Sequence, residues 1–291
     1  MVNCLLRYFG FSAVAAVFLS CATLVNTLSV EQPRIKYIRV IIHVFNKSDG
    51  SGSFQPDKPR DLAWLQEKID DANYFLANPE ENVPPAPPVE DSYIRLRLMD
   101  IKFWNNDTAY AVKTSTPYNH RNLFLDYARN NEALSAFERD SCLHIMLSGV
   151  RPKHYGGRNI CLLPGCDDGL GFANNVLYFE GMYHVYLDTF KFGEVGGHIV
   201  HELGHGLGLP HYNFEMVRYI RGKGGIPNPC YPCTIGQPCE WRKWNNFMKS
   251  TEGGRGMDPC QVKYMHLLLE NGPDTFDIFH EKCGAHKLWE Y

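Results

Sequence analysis

The stretch His201-Glu202-Leu203-Gly204-His205-Gly206-Leu207-Gly208-Leu209-Pro210-His211 constrains this chain more than any other. Val195, Ile199, Leu203 and Leu207 recur every four residues, which predicts a helix with an apolar back turned towards a core. On that helix His201 and His205 project from one face, about one turn apart. The spacing lets two imidazole nitrogens reach one metal ion at roughly 2.0–2.1 Å. Glu202 is too close in sequence to the first histidine to be a comfortable third ligand, and its carboxylate is placed to reach a water on the metal. Gly208 can take the left-handed conformation that ends a helix, which turns the chain so that His211 joins the other two. Pro210 then discourages helical continuation.

Any one of these histidines alone reads as an ordinary residue near a helix end. The whole pattern H-E-x-x-H-x-x-G-x-x-H does not. With 12 His and 25 Gly in 291 residues, its five fixed positions arise by chance on the order of once in ten thousand such chains. Gly204 and Gly206 each cost about 1 kcal/mol of helix propensity relative to alanine. Their presence predicts a close approach near the metal that outweighs local helix stability. His198, one turn before His201, stands outside the completed three-ligand set. Three neutral histidines leave a fourth position on Zn2+ for water, whose pKa falls from 15.7 towards ~7. Glu202, as general base, would take that water's proton and pass it to a leaving amine.

The motif resembles the signature of the metzincin zinc endopeptidases, and the similarity continues downstream. Metzincins carry a methionine turn beneath the zinc, and Asn245-Asn246-Phe247-Met248 resembles it. Met248 would then be an apolar floor under the ligands rather than a ligand. Among metzincins the chain is most similar to the pappalysins. The opening strand Ile38–Phe45, a long helix soon after it, and the Asn-x-Met turn followed by Cys260-Gln261 carry that likeness over about residues 36–270. The resemblance implies an α/β (α+β) fold: a twisted mixed five-stranded sheet with the active-site helix in an N-terminal subdomain, and a smaller irregular C-terminal subdomain closing the cleft. It also implies an extended peptide paired with an edge strand near Asn174–Phe179. One departure stands out. Many metzincins have a tyrosine two residues after the turn methionine, where this chain has Ser250, after Lys249. Tyr212, just after the last expected ligand, is the candidate for the missing phenol.

The implied activity is a secreted zinc metalloendopeptidase, with one Zn2+ per chain and a protein or peptide substrate. Calcium is a second candidate ion without a legible site. Two rivals stay open: a zinc-binding but catalytically weak binding protein, and a non-peptide hydrolase using the same metal. The intact Glu202 argues against the first, because a binding module has no need of that base. Formal net charge is −3 and no long basic run occurs, which excludes nucleic acid as an expected partner.

The N-terminus reads as a secretory signal over residues 1–22. Arg7 precedes an apolar run from Tyr8 to Leu19, and Ser20-Cys21-Ala22 offers small residues for cleavage after Ala22. The run is shorter than the ~20 apolar residues of a membrane span. A lipid anchor at Cys21 is the alternative, although Phe18 fits a lipobox poorly. No other stretch is long enough to cross a membrane, and a monomer is expected. Eight cysteines remain after the signal: Cys142, Cys161, Cys166, Cys230, Cys233, Cys239, Cys260 and Cys283. An even count in an exported protein predicts disulfides. Three of them precede the zinc helix and five follow it. Full pairing would therefore require at least one bridge across the cleft. The pappalysin resemblance further implies that Cys260 pairs with Cys230, Cys233 or Cys239. Asn46-Lys-Ser48 and Asn106-Asp-Thr108 are glycosylation sequons.

A polar linker at 23–35 leads into a catalytic domain at 36–291, with the subdomain boundary near 208/209. Leu62, Leu65, Ile69, Ala72 and Leu76 predict a helix from Asp61 to Leu76. Prolines 79, 84, 85, 87 and 88 make Asn78–Asp91 a loop. Alternation predicts strands at Tyr93–Trp104, Cys142–Ser148, Asn174–Phe179 and Tyr183–Asp188. His43 and His144 fall inside strands and read as satisfied sheet histidines. Asp258 and Pro259 cap a last helix that runs to about Glu270.

Overall fold

The apolar run at the start of the domain forms β1, Lys36–Asn46, whose burial alternates at first and becomes complete from Val40 onwards. That change marks a strand that leaves the rim of a sheet and enters its centre. The computed structural model of the chain describes residues 34–81, 88–113, 118–151, 156–159, 175–188, 194–207, 209, 245–249 and 254–270. The expected signal segment lies outside them, as do His211, Tyr212 and Ser250. Among the described residues no helix is long and apolar enough to cross a membrane.

The chain leaves β1 for helix α1, Pro59–Ala77, with proline in its first turn and Leu65, Ile69, Ala72 and Leu76 buried. It returns in β2, Ile94–Asn105, parallel to β1. The ladder shifts register between Val40 and Ile41, opposite Leu98 and Asp100, so Met99 is bulged out and 46% exposed. Three helices not anticipated from the sequence follow. The Asn106 side chain caps α2, Asp107–Tyr110; α3 is Tyr118–Arg129; and a Ser135/Glu138 capping box opens α4, Ala136–Ser141.

Strand β3 is Leu143–Ser148, β4 is Gly156–Asn159 and β5 is Val176–Glu180. The sheet has five strands in the order β2-β1-β3-β5-β4. The first four are mutually parallel, and β4 runs antiparallel to β5. The expected α/β class is therefore what the chain adopts. Two expectations need correction. Tyr183–Asp188 is not a strand: Met182–Tyr186 forms the short helix α5. Gly181 opens it at φ 80° and Asp188 follows it at φ 53°. Left-handed residues at both ends break the alternation that looked like a strand. The stretch near Asn174–Phe179 is not an edge either, because β5 lies between β3 and β4.

Helices α6, Val195–Gly206, and α7, Pro259–Glu270, complete the described elements. One sheet face carries Val40, Ile42, Val44, Ile145, Leu147, Leu177 and Phe179 against α1 and α6, with Met257 and Met265 in the same core. The other face packs Phe45, Met146 and Tyr178 against Phe124, Leu125 and Ala128 of α3. Gly196 sets the spacing of α1 and α6. A Cβ there would lie 2.6 Å from Asp71 Cβ and 2.7 Å from the Ala72 backbone nitrogen.

Cys142 is a free, buried thiol, and burial raises its pKa. Cys161, Cys166, Cys230, Cys233, Cys239 and Cys283 lie outside the described residues, as does the side chain of Cys260. Both sequons hold structural asparagines. Asn46 is 2% exposed and donates to the Phe54 carbonyl at 3.2 Å, which leaves a glycan no exit. Asn106 donates to Tyr127 Oη and accepts from Ala109 N–H, 2.9 Å each.

His43 and His144, both fully buried, form a directional chain on the α3 side of the sheet. The Trp104 indole donates to His43 Nδ1 at 3.0 Å. His43 must then carry its hydrogen on Nε2, from which it donates to His144 Nδ1 at 2.9 Å. Protonating either ring would set two N–H groups against each other. Burial, together with the neighbouring His144, holds the His43 pKa well below 6.5, and burial brings His144 to about 4. The pair's stabilisation is fully present above pH 6.5 and is lost as pH falls towards the folded-state values, because the unfolded chain binds protons the native state refuses. Urea unfolding of the metal-free chain should therefore ease between pH 6.5 and about 4, with the His144 shift alone worth on the order of 3 kcal/mol. The double variant His43→Leu/His144→Leu should flatten the curve over that window. An unchanged slope would mean the pair does not carry the effect.

Candidate metal centre

Helix α6 begins after Glu194 and buries Val195, Ile199, Val200 and Leu203 against α1 and the sheet. Its opposite side carries the motif. His201 is partly buried, while Glu202 and His205 are 6% and 7% exposed. The two imidazoles stand at 89° with centroids 4.7 Å apart, as expected for positions four apart on one helix. His198, one turn earlier, turns its Nδ1 to the Glu194 carbonyl of its own helix at 3.3 Å.

Both motif rings are oriented by backbone oxygens. His201 Nδ1 lies 2.6 Å from the Phe247 carbonyl, and His205 Nδ1 lies 2.8 Å from the Leu209 carbonyl. A carbonyl oxygen only accepts, so each Nδ1 bears the hydrogen and the neutral ring keeps its lone pair on Nε2. A metal-ligating histidine is oriented by this kind of hydrogen bond from its other ring nitrogen to a backbone carbonyl. Two such imidazoles beside a buried carboxylate suit zinc, which prefers nitrogen and sulfur donors. His205 occupies the last turn of α6, where the negative end of the helix dipole favours a cation. Among the described residues no three ligating side chains come together; the third expected ligand, His211, lies outside them.

The end of α6 explains the Leu209 carbonyl. Leu207 N–H bonds to Leu203 O at 2.8 Å, and Leu209 N–H reaches back to Gly204 O at 2.9 Å. The latter is the six-to-one bond of a Schellman helix end. It turns the chain so that the Leu209 oxygen faces His205, four residues back.

The Phe247 carbonyl comes from a turn closed by Lys249 N–H to Asn246 O at 3.0 Å. Met248 is fully buried in this turn and lies against α6. A Cβ on Gly204 would be 2.3 Å from Met248 Sδ and 2.7 Å from the Phe247 ring. Gly204 therefore admits the methionine turn, a more specific reason than a general close approach near the metal. On the outer side Arg255 pairs with Glu80 at 3.0 Å and with Glu194, the residue that opens α6. Asn245 donates to Glu80 at 3.0 Å and accepts from Arg255 N–H at 2.9 Å. These ion pairs are partly exposed and individually weak, yet they tie the end of α1, the start of α6 and the turn together. Neither carbonyl, nor Arg255, was identified from sequence. Backbone acceptors have no residue signature, and Arg255 meets Glu80 and Glu194 only in the fold.

The Gly204→Ala substitution tests this packing. The added methyl group should displace Met248 and the Phe247 carbonyl, at a cost of about 1–3 kcal/mol in stability. Zinc affinity should fall with it. Wild-type thermal stability and zinc titration in the variant would show that the turn does not press on α6 at this point.

No protein-family model matches the chain, and no curated protein matches it.

Proposed function

We propose that this chain is a secreted zinc-dependent endopeptidase of metzincin type, most like the pappalysins, with residues 36–208 and 209–291 as its two subdomains. The observation that carries the reading is the pair His201 and His205, whose Nδ1 hydrogens go to the Phe247 and Leu209 carbonyls, so that each neutral ring has its acceptor lone pair on Nε2, the atom that would ligate a metal. His211 completes the ligand set from the motif spacing. Zinc held there supplies Lewis-acid chemistry, polarising a peptide carbonyl and acidifying water.

The chain's own residues do the rest. Glu202, buried between the two histidines in sequence, accepts the proton of the attacking water and delivers it to the departing amine. Its low exposure keeps the carboxylate from being screened by bulk water. Met248 gives the histidines an incompressible apolar floor. An extended peptide is best accommodated beside β4, the outermost strand next to β5, which touches α6. Main-chain pairing along such an edge binds sequences broadly and recognises no terminus, which favours cleavage inside chains.

Two substitutions separate holding the metal from moving the proton. Glu202→Ala should keep one zinc per chain and lose roughly 10²–10⁴-fold in cleavage of an unfolded protein substrate. Cleavage at the wild-type rate would remove Glu202 from the mechanism. His211→Ala should lose zinc on dialysis against a mild chelator and with it all activity. Zinc held as tightly as in wild type would remove His211 from the site. A wild-type chain that binds zinc but cleaves no protein would instead be a metal-binding protein without peptidase activity.

A further inference from the structure

The first ligand of the site is steered from far along the chain. The carbonyl that holds His201 belongs to Phe247, 46 residues on, in a turn outside any helix or strand. A carbonyl can fix a ring only if its own peptide is fixed. Two backbone bonds help, Phe247 N–H to Gly256 O and Lys249 N–H to Asn246 O, both at 3.0 Å.

The remaining constraint is a pair of side-chain amides. Asn246 Nδ2 donates to Gln261 Oε1 at 2.9 Å, and Gln261 Nε2 donates back to Asn246 Oδ1 at 3.1 Å. Each oxygen takes a second hydrogen from the backbone: Met248 N–H reaches Asn246 Oδ1 at 2.9 Å, and Asp258 N–H reaches Gln261 Oε1 at 3.0 Å. Asn246 is fully buried and Gln261 is 2% exposed. This closed ring clamps the peptides on both sides of Phe247 to the first turn of α7, which is itself anchored by buried Met257 and Met265. Buried neutral amides contribute little to stability once their desolvation is counted, and apolar residues would fill the space at no greater cost. What amides add is direction, because both bonds must be kept for either to be satisfied.

We propose that the Asn246–Gln261 amide pair positions the metal centre: it locks the Phe247 carbonyl, and through it the tautomer and rotation of the His201 ring. Asn246 and Gln261 are positioning residues and touch neither metal nor substrate. The consequence for zinc rests on reading His201 as a ligand, whereas the consequence for the tautomer does not.

The experiment compares full-length wild type with Gln261→Met, which fills similar volume without the amide. A second variant, Gln261→Glu, keeps the two accepted bonds and sets a carboxylate oxygen against Asn246 Oδ1 in place of the donated one. In metal-free wild type, nitrogen-15 NMR should show His201 in the Nδ1–H tautomer at neutral pH. In Gln261→Met the ring should sample both tautomers, and the zinc dissociation constant should rise about ten-fold, the lower end for losing outer support of a ligand. Gln261→Glu should shift both readouts in the same direction, and it decides the matter if Gln261→Met does not fold. Phe124→Leu, in the core on the opposite sheet face, should lower the melting temperature and leave both readouts unmoved. A locked Nδ1–H tautomer with wild-type zinc affinity in the folded Gln261 variants would overturn the proposal. So would an equal loss of zinc affinity in Phe124→Leu, which would reduce the effect to general stability. Failure of wild type to bind zinc would refute the metal-centre reading, and the tautomer comparison would still decide the role of the pair.

Discussion

The hydrogen bond between His201 Nδ1 and the Phe247 carbonyl joins two parts of the chain that share no regular element, and the candidate site depends on it. Without it the imidazole is free to exchange tautomers and to rotate, and the four-residue spacing on α6 no longer presents two matched lone pairs. Several other features serve this one contact. Gly204 lets Met248 and Phe247 come against the helix. Arg255 ties the start of α6 and the end of α1 to the same segment. The amides of Asn246 and Gln261 hold the turn from behind.

The sheet divides the molecule's polar investments between its faces. On the α6 side the Glu202 carboxylate is buried on a helix whose back packs into the apolar cluster, so its charge acts in low-dielectric surroundings. On the other face two further histidines are buried, His43 and His144, and their role is different. Trp104, His43 and His144 bond to one another in a single direction that ends at His144 Nε2, which has no hydrogen-bond partner among the described residues. Burial alone does not separate a ligand histidine from a structural one. The separation lies in what each ring nitrogen faces: in the α6 pair Nδ1 meets a carbonyl, and in the buried pair a ring nitrogen meets another side-chain donor.

Much of the framework was legible because its signals are periodic. The apolar spacing of α1 and α6, the alternation of β2, the continuous run of β3 and the Asp258-Pro259 start of α7 all lie in single stretches of sequence. Elements with no such signal escaped. β4 consists of Gly156-Gly157-Arg158-Asn159, with no apolar alternation to mark it, and only pairing with β5 makes it a strand. α5 has aromatic and β-branched residues in a strand-like rhythm, and the left-handed backbone at Gly181 overrules them. In the site the side chains of the motif were legible and their supports were not, since the supports are carbonyls and residues distant in sequence.

The span of 46 residues between His201 and the carbonyl that orients it also sets an order of events. Four parallel strands need crossovers, and such long-range pairings form slowly. α6 follows the last described strand, but the turn at Asn246–Lys249 and the start of α7 follow later still. A growing chain therefore holds its helical histidines some time before the turn that aligns His201 is in place. The aligned His201 ring is a late product of synthesis, and an incomplete chain carries the motif histidines without that alignment.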